Sequence, residues 1–130
     1  MNQPAILLAG RALMAAMFLV VGVRKIMFFG MSAAYFARLG FPASEFFTGL
    51  AIVIEIGAGL ALLVGWKTKW AAWLLALFVL VATLMAHRFW EFDAAQMANQ
   101  MNHFLKNMAI IGGLAFVASF GPGRLAVDKS

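Results

Sequence analysis

Glu55 stands in the run Ile-Val-Ile-Glu-Ile-Gly over residues 52–57, a carboxyl group with apolar neighbours on both sides. A charge at the centre of a membrane-crossing helix costs about 2.5–3.5 kcal/mol on insertion scales, so such a group must face a bundle interior and be paired, protonated or hydrated. Two chemistries fit it. One is a structural ion pair or hydrogen bond between helices; the other is a proton carrier or ligand contact. Arg11 is the expected partner, because it lies about two turns into the first apolar run and its long side chain can reach towards the middle of that helix. Arg11 and Lys25 are 14 residues apart, close to a whole number of helical turns, so they share a face with Met14, Phe18 and Gly22.

Further polar residues gather at the other ends of the apolar runs. Lys25, His87 and Arg88 close two of them, and His103, Lys106 and Asn107 open a third. His103 and Asn107 share a helix face at i, i+4, as do Asn102 and Lys106. His87 brings a ring of the type that exchanges protons near neutral pH. Lysine and arginine near helix ends also simply reach the headgroups, which is the expectation for Arg24, Arg38 and Arg88. Gly112 and Gly113 either let helices approach closely or open a crevice for a ligand.

Much chemistry is excluded. The chain has no cysteine, which removes disulfides, thiolate metal sites and thiol redox chemistry. Electrons would have to come from a bound cofactor or a partner. The two histidines and few acids show no metal-ligand spacing, so no metal site is expected. Neither a Ser-His-Asp pattern nor a phosphate-binding or dinucleotide glycine loop is present. The net charge of +5 is scattered along apolar segments and does not indicate nucleic acid.

These residues must be positioned by membrane helices. The hydrophobic share is 65% and the charged share 12% of 130 residues, about half the charge of a soluble domain. The pattern predicts an all-α integral membrane four-helix bundle, read as a single domain over residues 1–130. Spans are expected at about residues 4–28, 46–64, 70–89 and 104–120, each near the roughly 20 residues a crossing needs. Ser44 reads as an N-cap for the second. Residues 31–39 read as a short interfacial helix, since Tyr35, Phe36 and Arg38 suit headgroup level. The N-terminus does not read as a signal peptide, because Arg11 interrupts its apolar run. Basic residues divide evenly: Arg11, Lys67, Lys69, Arg124 and Lys129 towards the termini, and Arg24, Lys25, Arg38, Arg88 and Lys106 towards the long connections. Because Glu45, Glu91 and Asp93 lie on the latter side, cytoplasmic termini are expected.

In order along the chain stand Gly10-Arg11, Phe18, Gly22, Lys25, Tyr35, Gly40 and Pro42, then Glu55-Ile-Gly-Ala-Gly59, Leu62 and Gly65. Thr68-Lys69, Ala72, Thr83, His87, Phe104-Leu-Lys-Asn107, Gly112-Gly113, Gly121-Pro122-Gly123 and Asp128 follow. This ordered set resembles the DoxX family of small bacterial membrane proteins, over nearly the whole chain. The resemblance implies a four-helix inner-membrane protein and a link to quinones, through a thiosulfate:quinone oxidoreductase subunit and through quinone or catechol detoxification and oxidative-stress complexes. Thiosulfate chemistry does not carry over to a chain without cysteine.

The expected function is therefore a quinone-linked redox or detoxification role at a polar intramembrane site. Glu55, Arg11 and His87 are the candidate catalytic groups. Lys25, Lys106 and Asn107, with the Gly112-Gly113 crevice, are the candidate quinone-binding groups. The expected surroundings are the lipid bilayer, a soluble or membrane oxidoreductase partner, and a homo-oligomer. The alternatives are a non-catalytic subunit that anchors a soluble oxidoreductase and a carrier or transporter of a small lipophilic molecule.

Overall fold

The computed structural model describes residues 3–128, so Lys129 lies outside the described residues. Five helices follow one another: α1 (Gln3–Met27), α2 (Phe29–Arg38), α3 (Ser44–Val64), α4 (Thr68–Ala86) and α5 (Ala94–Phe120). A single 3₁₀ turn, Phe89–Glu91, lies between α4 and α5. No strand occurs among the described residues. The helices α1, α3, α4 and α5 are long and apolar enough to cross a bilayer, α4 together with the 3₁₀ turn. Helices satisfy their own backbone groups, which is what hydrocarbon demands. The protein is an all-α membrane bundle.

One end of the bundle holds the described ends of the chain and the α3–α4 turn. The other holds the two long connections; we call these the termini end and the loop end. At the loop end the chain bends at Phe28 (φ −121°, ψ 48°) and runs straight into α2, the short helix expected near residues 31–39. Ser44 is not an N-cap. It is the first residue of α3, preceded by Ala43 in the left-handed region (φ 49°), and no side chain caps that helix. Helix α5 begins ten residues before its apolar run, because the Asp93 carboxylate accepts a hydrogen bond from Gln96 N (3.1 Å) and caps it.

The core is built from small and branched side chains. Ala15, Phe18, Leu62, Ala72, Leu75, Leu114 and Ala118 are buried together. Helices α4 and α5 pack along much of their length, and α1 packs on the second half of α3. The first half of α3 leans on α1 and α2 instead. It therefore splays away from α4, to which α3 is tied from its middle, residues 54–58, down to the tight turn at Gly65 (φ 75°). That divergence makes the site.

Candidate functional site

Helix α3 changes winding where its carboxyl group sits. Residues Ile54–Ala58 form one π-helical turn, and Glu55 is in it, 3% exposed. Such turns are rare single-residue insertions, often found at functional sites, and they re-aim the side chains around them. Here α1 approaches so closely at Gly22 that a Cβ on that residue would lie 2.7 Å from Ile56 Cγ1 and 3.4 Å from Glu55 Cβ. One turn beyond Gly22 is Lys25. Its Nζ lies 2.9 Å from Glu55 Oε1 and donates a hydrogen bond to Oε2 at 3.2 Å. One ammonium thus faces both carboxylate oxygens, and Oε1, which is buried, meets no second donor. The carboxylate and the ammonium thus form a two-point ion pair inside the bundle.

This pair lies in the wall of a cavity of about 1020 Å³. All five helices contribute to it, among them Phe18, Ala51, Phe78 and Ile110 as apolar wall. Leu50, Leu77 and Val81 line it and are also 42%, 59% and 47% exposed, so it opens sideways into the lipid between α3 and α4. Its upper edge, at the loop end, is formed by Arg24, Ser32, Tyr35, Arg38 and His87. On the α4–α5 side Asn107 Nδ2 donates to Thr83 Oγ1 (2.9 Å), whose hydroxyl in turn donates to Val79 O (2.6 Å).

Lys25, Glu55, His87 and Asn107 therefore meet at one cavity. His87 Nδ1 bonds Gln100 Oε1 (2.7 Å), and its ring stacks on His103 with centroids 4.8 Å apart. Lys106 is exposed outside the cavity lining. The glycine pair opens no crevice. Gly112 is exposed, and Gly113 is a packing contact where an added Cβ would meet Met14 Cε at 2.7 Å.

Arg11 is not the partner of Glu55. It is buried at the termini end, where Nη1 donates to Leu62 O and Leu63 O, both at 3.0 Å, and Nη2 donates to Leu125 O. The physical reason is the end of α3, whose last carbonyls have no helical N–H to accept and attract a cation. The segment after α5 is laced to the same place: Val127 N donates to Val64 O (3.0 Å), and Asp128 N to Gly65 O (2.7 Å). Asp128 then accepts from Lys67 N (2.7 Å) and Thr68 N (2.8 Å) at the start of α4. The hydrogen bond from Thr68, then that from Lys67 and the charge of Arg11, hold its carboxyl below the usual carboxylate range.

The reading from sequence missed Gly22 as the reason Lys25 reaches Glu55, and Arg24, Tyr35, Arg38 and Thr83 as cavity or network residues. The spacing of Gly22 and Lys25 on one face was a usable signal. The place of the exposed Arg24 and Arg38 at the cavity edge had none, since it depends on how α2 packs against α1 and α3.

A small membrane protein with a charged pair inside the bilayer and a side-opening cavity is the class this architecture defines. The DoxX family profile matches residues 6–88. The chain belongs to the DoxX family. It is 28% identical over 127 residues to inner membrane protein YphA of Escherichia coli, covering 98% of this chain and 91% of the relative. It is 33% identical over 122 residues to inner membrane protein YqjF of the same organism, covering 94% and 88%. A membrane protein of Mycobacterium tuberculosis, Rv3486, is 30% identical over 125 residues, covering 92% and 77%. No solved structure matches.

Proposed function

We propose that the protein is a quinone-linked membrane redox protein whose cavity takes the head of a lipophilic quinone from the bilayer. The observation that carries this reading is the Lys25–Glu55 ion pair, held within the bundle in the wall of a cavity open to lipid. The apolar wall suits a prenyl tail, and the Lys25–Glu55 pair suits a ring oxygen. A quinone supplies the redox chemistry when bound, taking up two electrons and two protons to become the hydroquinone. The electrons would come from a partner oxidoreductase.

The chain's own part is proton handling. Glu55, when protonated, donates to an oxygen beside Oε1, and Lys25 compensates the carboxylate that results. His87, at the loop-end edge, is placed to return a proton from the aqueous side.

The test is native mass spectrometry with lipid extraction on purified protein, comparing wild type with Glu55→Gln. Wild type should carry a quinone and the variant should lose it with helical content intact. Equal retention in both forms removes the site from Glu55. Retention in neither overturns the quinone reading in favour of an anchoring subunit. That second reading has its own support: residues 94–99, the first turns of α5, are exposed, beyond the apolar run and, Met97 apart, polar or small, a ready handle for a soluble partner.

A further inference from the structure

The cavity wall carries more positive charge than the Lys25–Glu55 pair can use. Arg24 at the end of α1 and Arg38 at the end of α2 both line it. Among the described residues neither forms an ion pair; the salt bridges are Lys25–Glu55 and Arg88–Glu91. The carboxylate in the cavity wall is Glu55, already matched by Lys25. Arg38 lies over the Tyr35 ring, 5.8 Å from its centroid, so its guanidinium is held at the cavity edge beside the Tyr35 hydroxyl and Ser32, which line the same edge. Two unmatched guanidinium groups thus stand at headgroup level over an apolar, side-opening cavity. Guanidinium groups suit phosphate oxygens, which they can bind two at a time. Basic pockets between transmembrane helices hold acidic lipid heads for this reason.

We infer that the Arg24–Arg38 edge is a binding site for an anionic phospholipid, with the phosphate between the two arginines and an acyl chain entering the cavity from the side. Charge complementarity selects this occupant: a neutral lipid leaves both cations unmatched, and a free anion leaves the apolar space below them empty. The inference does not rest on the quinone reading, and the two occupants compete for one cavity. The lipid head sits at the mouth, above Lys25 and Glu55, so the lipid acts as a lateral gate that a second lipophile must displace.

The full chain in detergent would be titrated with phosphatidylglycerol and with phosphatidylcholine of the same acyl length, and bound lipid counted by native mass spectrometry. Wild type should prefer phosphatidylglycerol by roughly 30-fold, the scale expected for two basic residues near a membrane surface. Arg24→Gln/Arg38→Gln should reduce the preference to roughly threefold or less. Arg88→Gln, a loop-end arginine outside the cavity, should keep it. Equal binding of the two lipids by wild type overturns the inference, as does an equal drop in Arg88→Gln, which would make the effect general surface charge. Displacement of phosphatidylglycerol by millimolar inorganic phosphate overturns the lipid in favour of a bare anion site. Quinone counted in the same spectra separates this outcome from the fate of the Glu55 site.

Discussion

Helix α1 places two cations on one face, and the bundle treats them in opposite ways. Arg11 at the termini end is buried among peptide carbonyls, with bonds to Leu62, Leu63 and Leu125, and the cavity beside it is about 130 Å³. Lys25 at the loop end meets a side chain that can change its charge, in the wall of about 1020 Å³. A carbonyl cannot be protonated in the working range or exchanged for a ligand without breaking the fold; a carboxylate can. Equal charge and a shared helix face therefore say little about role. What the cation bonds to, and whether there is room beside it, distinguish a clamp from a chemical group.

The sharpest way to break this distinction is to remove each cation. Arg11→Met removes the donor for three carbonyls at once, and hydrogen bonds to charged groups are worth about 1.5–3 kcal/mol each. The expected loss is at least about 4 kcal/mol of stability, read as a lower melting temperature in detergent. Quinone retained per folded molecule should stay unchanged. If retention falls while the fold holds, Arg11 belongs to the chemistry and the contrast fails.

Lys25→Met leaves Glu55 buried without its partner, which costs about 3–5 kcal/mol. Lys25→Met/Glu55→Gln removes both charges, and replacing a whole buried pair is often near neutral. The double variant should recover to within about 1–2 kcal/mol of wild type and still bind no quinone. No comparable second substitution should rescue Arg11→Met, because its partners are backbone.

How much of this was legible in the sequence follows the same division. The four spans, Glu55 as the misplaced carboxyl group, and the gathering of Lys25, His87 and Asn107 could be read from apolar run length and helix faces. The extent of α5 could not, because hydropathy marks the part in lipid, whereas the helix itself continues through polar residues to the Asp93 cap. The pairing of Glu55 with Arg11 failed for a related reason. Face and rise along α1 admit either cation. The choice depends on the π turn in α3 and the close approach at Gly22, both set by packing. The carbonyls that claim Arg11 belong to α3 and to the segment after α5, which meet only in the folded chain.

Asp128 extends the contrast to pH. Its carboxyl group is held below the usual range at the termini end, so the folded state binds the proton less readily than the unfolded chain. The stability it contributes is full above an ordinary aspartate pKa of about 3.9 and is lost as pH falls through the lower folded value. Asp128→Asn keeps one acceptor and removes the other with the charge, so it should cost about 0.5–1.5 kcal/mol at neutral pH, the range for one hydrogen bond. The gap between variant and wild type should close on acidification. A gap that stays constant down to strongly acid pH would show that the carboxylate does not cap α4.

The smallest effect belongs to the open end. Thr83→Val keeps the shape of the side chain and removes the hydroxyl that accepts from Asn107 Nδ2 at 2.9 Å. Interhelical hydrogen bonds within a membrane average about 0.6 kcal/mol, since the separated helices find other partners. The expected loss is of that size, against the several kcal/mol expected at Arg11. The freed amide lines the cavity and can turn to a ligand, so quinone retention should hold or rise. A loss of several kcal/mol would instead mean that the α4–α5 side of the cavity is clamped as firmly as the termini end, and that the cavity is a gap between rigid walls, with no side that can yield.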